Sequence, residues 1–183
     1  MIHKGEWYAF LGYSGLPAWA REAKEKIEES LDTFETALTL KDIRETIETI
    51  LNEMVQRYNA ENLQMLIAAC VEPDPPVLWA FKLGAFHTLD GIESIGCGDS
   101  PLLRYLSEAM YSPKMEEYEA KNLAVYLVAQ AKKYVLGVEG PSDIVDIGFW
   151  GPDWMDQSEV EERLKTMESK AASCLKQITR EDA

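Results

Sequence analysis

Cysteine is scarce in this 183-residue chain: Cys70, Cys97 and Cys174 are odd in number, widely scattered and without C-x-x-C spacing. That pattern argues against both a disulfide scaffold and a zinc site, and it suits reducing conditions. Histidine is scarcer still, with only His3 and His87. Basic residues are few, 18 Lys and Arg against 32 Asp and Glu, for a formal charge of −14. Phosphate backbones and anionic lipid surfaces repel such an average surface, so no nucleic-acid partner and no membrane surface is expected. Long apolar runs are also missing. The stretch Leu63 to Val71 is far too short to span a bilayer, and the N-terminus lacks the basic, apolar and small-residue order of a signal peptide. Together these absences point to a cytoplasmic protein, and no cofactor or metal is expected.

What the chain does have is material for one sizeable core, since 46% of its residues are hydrophobic. From Glu6 to Ser14 the apolar residues Trp7, Tyr8, Ala9, Phe10 and Leu11 run almost without interruption up to Gly15, the pattern of an interior strand covered on both faces. Pro17 suits the first turn of a helix over Ala18 to Leu31. Thr39 and Asp42 have capping-box spacing, and Ile43, Ile47, Ile50, Leu51, Met54, Val55 and Tyr58 recur at intervals of three and four, which predicts a second helix. Leu63 to Val71 and Val77 to Leu83 flank a Pro-rich turn and read as a hairpin, followed by a short strand at Phe86 to Leu89. Ser100 and Pro101 occupy N-cap and N1 positions of a helix reaching Tyr111, a further helix covers about Glu116 to Tyr134, and Ile144 to Phe149 returns to strand. Gly151-Pro152-Asp153 reads as loop, and Ser158 with Glu161 as the cap of a C-terminal helix.

Strand, helix pair, strands, helix pair, strand is not the alternation of a parallel doubly wound sheet. The expected class is α+β, a four-layer αββα sandwich of two antiparallel sheets flanked by helix pairs, with residues 1–155 as the main domain and 156–183 as a helical extension.

Several residues invite a chemical reading beside a plain one. Cys97, close to a helix start, is a candidate nucleophile or a packed thiol. His87 is a candidate base or a surface strand histidine, and His3 stands at a chain end. Ser14 in Gly12-Tyr13-Ser14-Gly15 lacks the spacing of a nucleophile elbow. The Gly96 to Ser100 loop is an anion cradle or a tight packing turn. Asp143 and Asp146 form only a weak carboxylate metal site, and Phe149, Trp150 and Trp154 are an interface anchor or core.

The ordered set of Gly96-Cys97-Gly98, the helix Leu102 to Tyr111 ending in Ser112-Pro113, and Gly140-Pro141-Ser142-Asp143-Ile144-Val145 before the closing strand resembles proteasome core-particle subunits and their bacterial relatives, members of the N-terminal-nucleophile hydrolase superfamily. The likeness covers most of residues 1 to 150. It implies that Gly15 matches the glycine whose N–H helps bind the oxyanion, that Tyr13 lies at the floor of the specificity pocket, and that Cys97 replaces a serine assisting the terminal amine. In such subunits the first residue of the mature chain attacks and its own amine serves as base. As given, the chain starts where the family's first two strands would already have supplied nucleophile, acidic residue and lysine. Met1 falls about where the lysine would stand, and Ile2 has no nucleophilic atom. Val135 and Val138 stand near positions of a supporting Asp and Ser.

The resemblance therefore implies a subunit that is non-catalytic by itself, with a structural or assembly role in a homo-oligomer or with related subunits, its uncovered sheet edges calling for a partner or upstream residues. The alternative is a threonine- or cysteine-type peptidase or amidase, acting on peptides, whose true N-terminus lies upstream. A third reading places the attack at Cys97.

Overall fold

The structure, a computed structural model, describes residues 2–4, 7–34, 38–140, 142–148 and 151–181. Met1, Glu6, Pro141, Phe149 and Trp150 lie outside the described residues. The chain divides into two compact units, residues 1–99 with 147–151, and residues 100–146 with 152–183.

In the first unit five strands form one antiparallel sheet: β1 (Ile2–Lys4), β2 (Trp7–Ser14), β3 (Gln64–Val71), β4 (Val77–Lys82) and β5 (Ala85–Thr88), in that spatial order. Between β2 and β3 the chain leaves the sheet for α1 (Pro17–Asp32) and α2 (Leu40–Tyr58). Pro17 opens α1 where a missing N–H is harmless. The predicted capping box starts α2: Thr39 Oγ1 accepts from the Asp42 N–H at 3.2 Å while the Thr39 N–H donates to Asp42 Oδ2 at 2.9 Å. Asn59, in the left-handed conformation, ends it.

The pattern of buried residues explains why the helices settle on the sheet. Ala23, Ile27 and Leu31 of α1 and Ile43, Ile47, Leu51 and Met54 of α2 are buried, at the three- and four-residue spacing of a single helix face. They pack in one core with Ala9, Met65, Ile67, Ala69, Trp79 and Phe81. The sheet register places Ala9 opposite Ala69, Ile67 opposite Trp79 and Met65 opposite Phe81, so this face has its small pair at one end and its large side chains at the other. Each of these large apolar side chains contributes about 1.5–3 kcal/mol through burial. Tyr58 Oη donates to Glu22 Oε1 at 2.8 Å and fastens the end of α2 to α1.

The second unit holds α3 (Pro101–Met110), α4 (Glu117–Tyr134) and α5 (Gln157–Glu181). Ser100 caps α3 as expected, its Oγ accepting from the Leu103 N–H at 3.2 Å. The core here is small: Val125 of α4, Ile144 and Val160 of α5, with Val128, Met155 and Leu164 against them. β6 (Val145–Gly148) and β7 (Gly151–Trp154) form a second sheet of two strands. Two residues separate them, a gap that only antiparallel pairing can bridge.

The α+β class with two antiparallel sheets flanked by helices is thus as expected, and two local readings need correction. Gly151-Pro152-Asp153 belongs to a strand and not to a loop. A two-stranded sheet consists of edges alone, so the proline's missing donor can face away from its partner. The start of α5 is capped by Asp156 rather than Ser158: Asp156 Oδ1 accepts from the Glu159 N–H at 2.9 Å and from Ser158 Oγ at 2.6 Å. A carboxylate gains more at the positive end of a helix than a hydroxyl does. These bonds, the Ser158 hydroxyl first, hold the Asp156 carboxyl below its ordinary value.

Candidate functional site

The site suggested by the sequence forms where β2 ends, entirely within the first unit. Ser14 closes β2 opposite Gln64, the first residue of β3. Gly15 follows with φ +126°, and a Cβ there would stand 3.3 Å from the Asn62 carbonyl oxygen. Both backbone shape and space favour glycine at this corner.

Across from it, residues Gly96–Gly98 make a single 3-10 turn. Gln64 reaches over from β3, its Oε1 accepting from the Gly96 N–H at 2.8 Å. Gly96 has φ +62°, and a Cβ built on it would fall 2.2 Å from Ser14 Oγ and 2.8 Å from Ser14 Cβ. The glycine is therefore required by close approach to β2, which favours the packing reading of this loop over the anion cradle. The turn closes on itself through the Gly98 N–H to Ile95 O (3.2 Å) and the Asp99 N–H to Gly96 O (3.0 Å).

Both sides of the turn are tied to the end of β4. Lys82 Nζ donates to Glu93 Oε1 at 2.6 Å and to Asp99 Oδ2 at 3.3 Å, and Glu93 Oε1 also accepts from the Ser94 N–H at 2.9 Å. The Lys82 side chain is only 17% exposed, so the ion pairs are less screened than surface pairs, which are worth about 0–1 kcal/mol. The Gly-Cys-Gly turn is thus held by an amide from β3 and a cation from β4.

Of the predicted residues, the structure brings Ser14, Gly15, Gly96 and Cys97 into one neighbourhood by the contact of Ser14 with Gly96. Cys97 is exposed at the middle of the turn, and among the described residues its thiol makes no hydrogen bond. Tyr13, on β2 opposite Met65, is half-exposed. The histidines are placed at opposite edges of the sheet, His3 on β1 opposite Tyr8 and His87 exposed on β5 opposite Ala80. Lys82, Gln64, Glu93 and Asp99 escaped the sequence reading. The one available signal was Lys82 itself, a lone cation closing the apolar run Val77 to Phe81.

In the second unit, Asp146 accepts from Lys121 Nζ at 2.8 Å, and Glu117 does the same at 2.8 Å. The hydrogen bond from Asp146, then that from Glu117, raises the Lys121 ammonium above its ordinary 10.5. Asp146 is thereby committed to a cation, while Asp143 is exposed. Among the described residues no grouping of three or more His, Cys, Asp or Glu could hold a metal ion. Trp154 is 56% exposed on β7. Among the described residues no helix is long and apolar enough to cross a membrane.

No family model and no curated protein matches the sequence. Solved structures do match. Anbu, an ancestral β-subunit, from Yersinia bercovieri superposes with a TM-score of 0.77 at 15% identity, over 97% of this chain and 82% of that one. The Gly-1 mutant of Anbu from Hyphomicrobium sp. strain MC1 gives 0.75 at 16% identity, over 96% and 81%. Anbu from Pseudomonas aeruginosa, in a helical assembly, gives 0.75 at 12% identity, over 97% and 82%. At these identities the likeness is one of fold. The chain has the N-terminal-nucleophile hydrolase-like fold of Anbu.

Proposed function

We propose that this chain is a non-catalytic, cytoplasmic subunit of a homo-oligomer, built on the N-terminal-nucleophile hydrolase scaffold and serving a structural or assembly role. Residues 1–155 are the scaffold in this reading and residues 156–183 a helical extension. Support for self-association comes from the fold shared with Anbu, which in Pseudomonas aeruginosa forms a helical assembly. One observation carries the non-catalytic part. The turn beside Gly15 is built and fastened, yet among the described residues around it no nucleophile is paired with a base: Cys97 has no hydrogen bond, and Lys82 is taken up by Glu93 and Asp99. A serine, threonine or cysteine nucleophile needs such a partner to lose its proton.

The test joins two measurements on the purified chain. Light scattering after size exclusion reads its mass, and a panel of fluorogenic peptides reads hydrolysis. A multimer without turnover supports the proposal. Turnover that tracks the purified protein, or a monomer at every concentration, contradicts it.

A second reading, a peptidase or amidase with an attacking residue supplied from upstream, is favoured by the retained corner at Gly15, where the N–H would bind the oxyanion, with Tyr13 at the pocket floor. Expression from the next upstream in-frame start, with the same peptide panel, separates the two readings. Hydrolysis gained there selects the enzyme.

A further inference from the structure

We infer that the β4–β5 hairpin docks one copy of this chain onto another, with Leu83 as its apolar anchor; this rests on the assembly reading above. Leu83 and Gly84 form the two-residue turn between Lys82 and Ala85, which are paired across the hairpin. Leu83 has φ +52° and Gly84 φ +73°, the double left-handed geometry of the tightest hairpins. Asn, Asp or Gly meets the first of those positions without strain, whereas a branched aliphatic side chain does not. The same leucine is 84% exposed. A residue unsuited both to its backbone and to water points to a contact outside its own chain.

Two features of the hairpin say what covers it. β5 is the outer strand of the five-stranded sheet, with Ala85, His87 and Thr88 exposed. It carries no lysine, proline or carboxylate of the kind that shields open edges, and Lys82 is turned to Glu93 and Asp99. From Pro75 to Leu89 there is no Asp or Glu, in a chain that has 32 of them. A surface with a net charge of −14 repels itself almost everywhere. The hairpin itself offers an acidic second copy no opposing carboxylate, and those beside Lys82, Glu93 and Asp99, are paired with that lysine. A protruding tip on one copy received by a different surface of the next is a head-to-tail contact, which propagates as a ring or a filament.

The experiment is sedimentation velocity of the full chain across a concentration series, comparing wild type with Leu83→Asn, Leu83→Gly and the control Leu136→Asn, which removes another leucine that is 96% exposed. Both Leu83 variants are expected to weaken association at least tenfold while the melting temperature of the dissociated chain holds or rises, because each replacement suits the turn. Leu136→Asn is expected to associate as wild type does. Association of the Leu83 variants at wild-type strength overturns the docking proposal and leaves the assembly reading standing. An equal loss in Leu136→Asn also overturns it, and wild type that is monomeric throughout overturns both.

Discussion

Replacing Gly96 by alanine tests whether the turn at the candidate site is shaped by its contact with β2. Two penalties are expected. The backbone at φ +62° disfavours any Cβ, by about 1–2 kcal/mol. The added methyl also meets Ser14 Oγ at 2.2 Å and Ser14 Cβ at 2.8 Å. The hydroxyl can rotate away but Cβ is fixed to the strand, so the turn must shift, a form of overpacking that costs about 1–3 kcal/mol. Gly96→Ala should therefore lose about 3 kcal/mol. Gly84→Ala is the natural control, because Gly84 has φ +73° and nothing within 4 Å of its Cβ position. It should lose only the conformational part, about 1–2 kcal/mol. Adding Ser14→Gly removes both offending atoms, so the Gly96→Ala, Ser14→Gly pair should recover the steric part, a coupling of about 1–3 kcal/mol in a double-mutant cycle. Urea unfolding of the four variants measures this, and for a chain of 183 residues each kcal/mol moves the melting temperature by about 2–4 °C. Gly96→Ala no worse than Gly84→Ala, or a cycle without coupling, would refute the close approach of the turn to Ser14.

Lys82→Met should leave Glu93 and Asp99 without their shared cation and loosen the loop between them, at a cost of about 1–2 kcal/mol, above the range for exposed pairs because the lysine is mostly buried. Hydrogen exchange checks it: protection should fall at Gly98 and Asp99 but not in α2. Ile47→Ala, at a fully buried position of α2, should cost about 2–5 kcal/mol in urea unfolding. Acid should weaken α2 through its cap. The Thr39 side chain, then the Thr39 backbone, hold the Asp42 carboxyl below its ordinary 3.8. A lowered folded value means that the stabilisation is complete above about 3.8 and is lost as pH falls through the folded value. Helical signal in wild type should therefore decline more steeply below pH 4 than in Asp42→Asn, and parallel curves would argue against the capping box.

The sequence and the structure agree best where the physics is local. The Thr39 to Asp42 capping box, the Ile43 to Met54 stripe, Pro17 and the Ser100-Pro101 pair depend on neighbours within one turn, and each element lies where its pattern predicts. The α5 cap lies two residues earlier than the spacing suggests for a local reason too, since Asp156 accepts from the Glu159 N–H and takes up the Ser158 hydroxyl as a donor. Strand β7 was illegible because Pro152 reads as a breaker unless the pairing strand is known. At the candidate site, Gly15 and the Gly96 turn were visible as glycines at corners. Their fastening was not, because Gln64 to Gly96 and Lys82 to Glu93 and Asp99 join residues 11 to 32 positions apart. Spacing carries no trace of a bond that only sheet register creates.

The way this turn is moored has a consequence for how the chain can change. Among the described residues its side-chain anchors fall on the flanks, on Gly96, Glu93 and Asp99, while Cys97 at the crest has an exposed side chain. That crest behaves as a socket whose occupant can be exchanged without disturbing the frame. Serine, alanine or a larger polar residue can be installed there at little cost to folding, so chemistry at this corner is free to be lost, regained or engineered on an unchanged foundation.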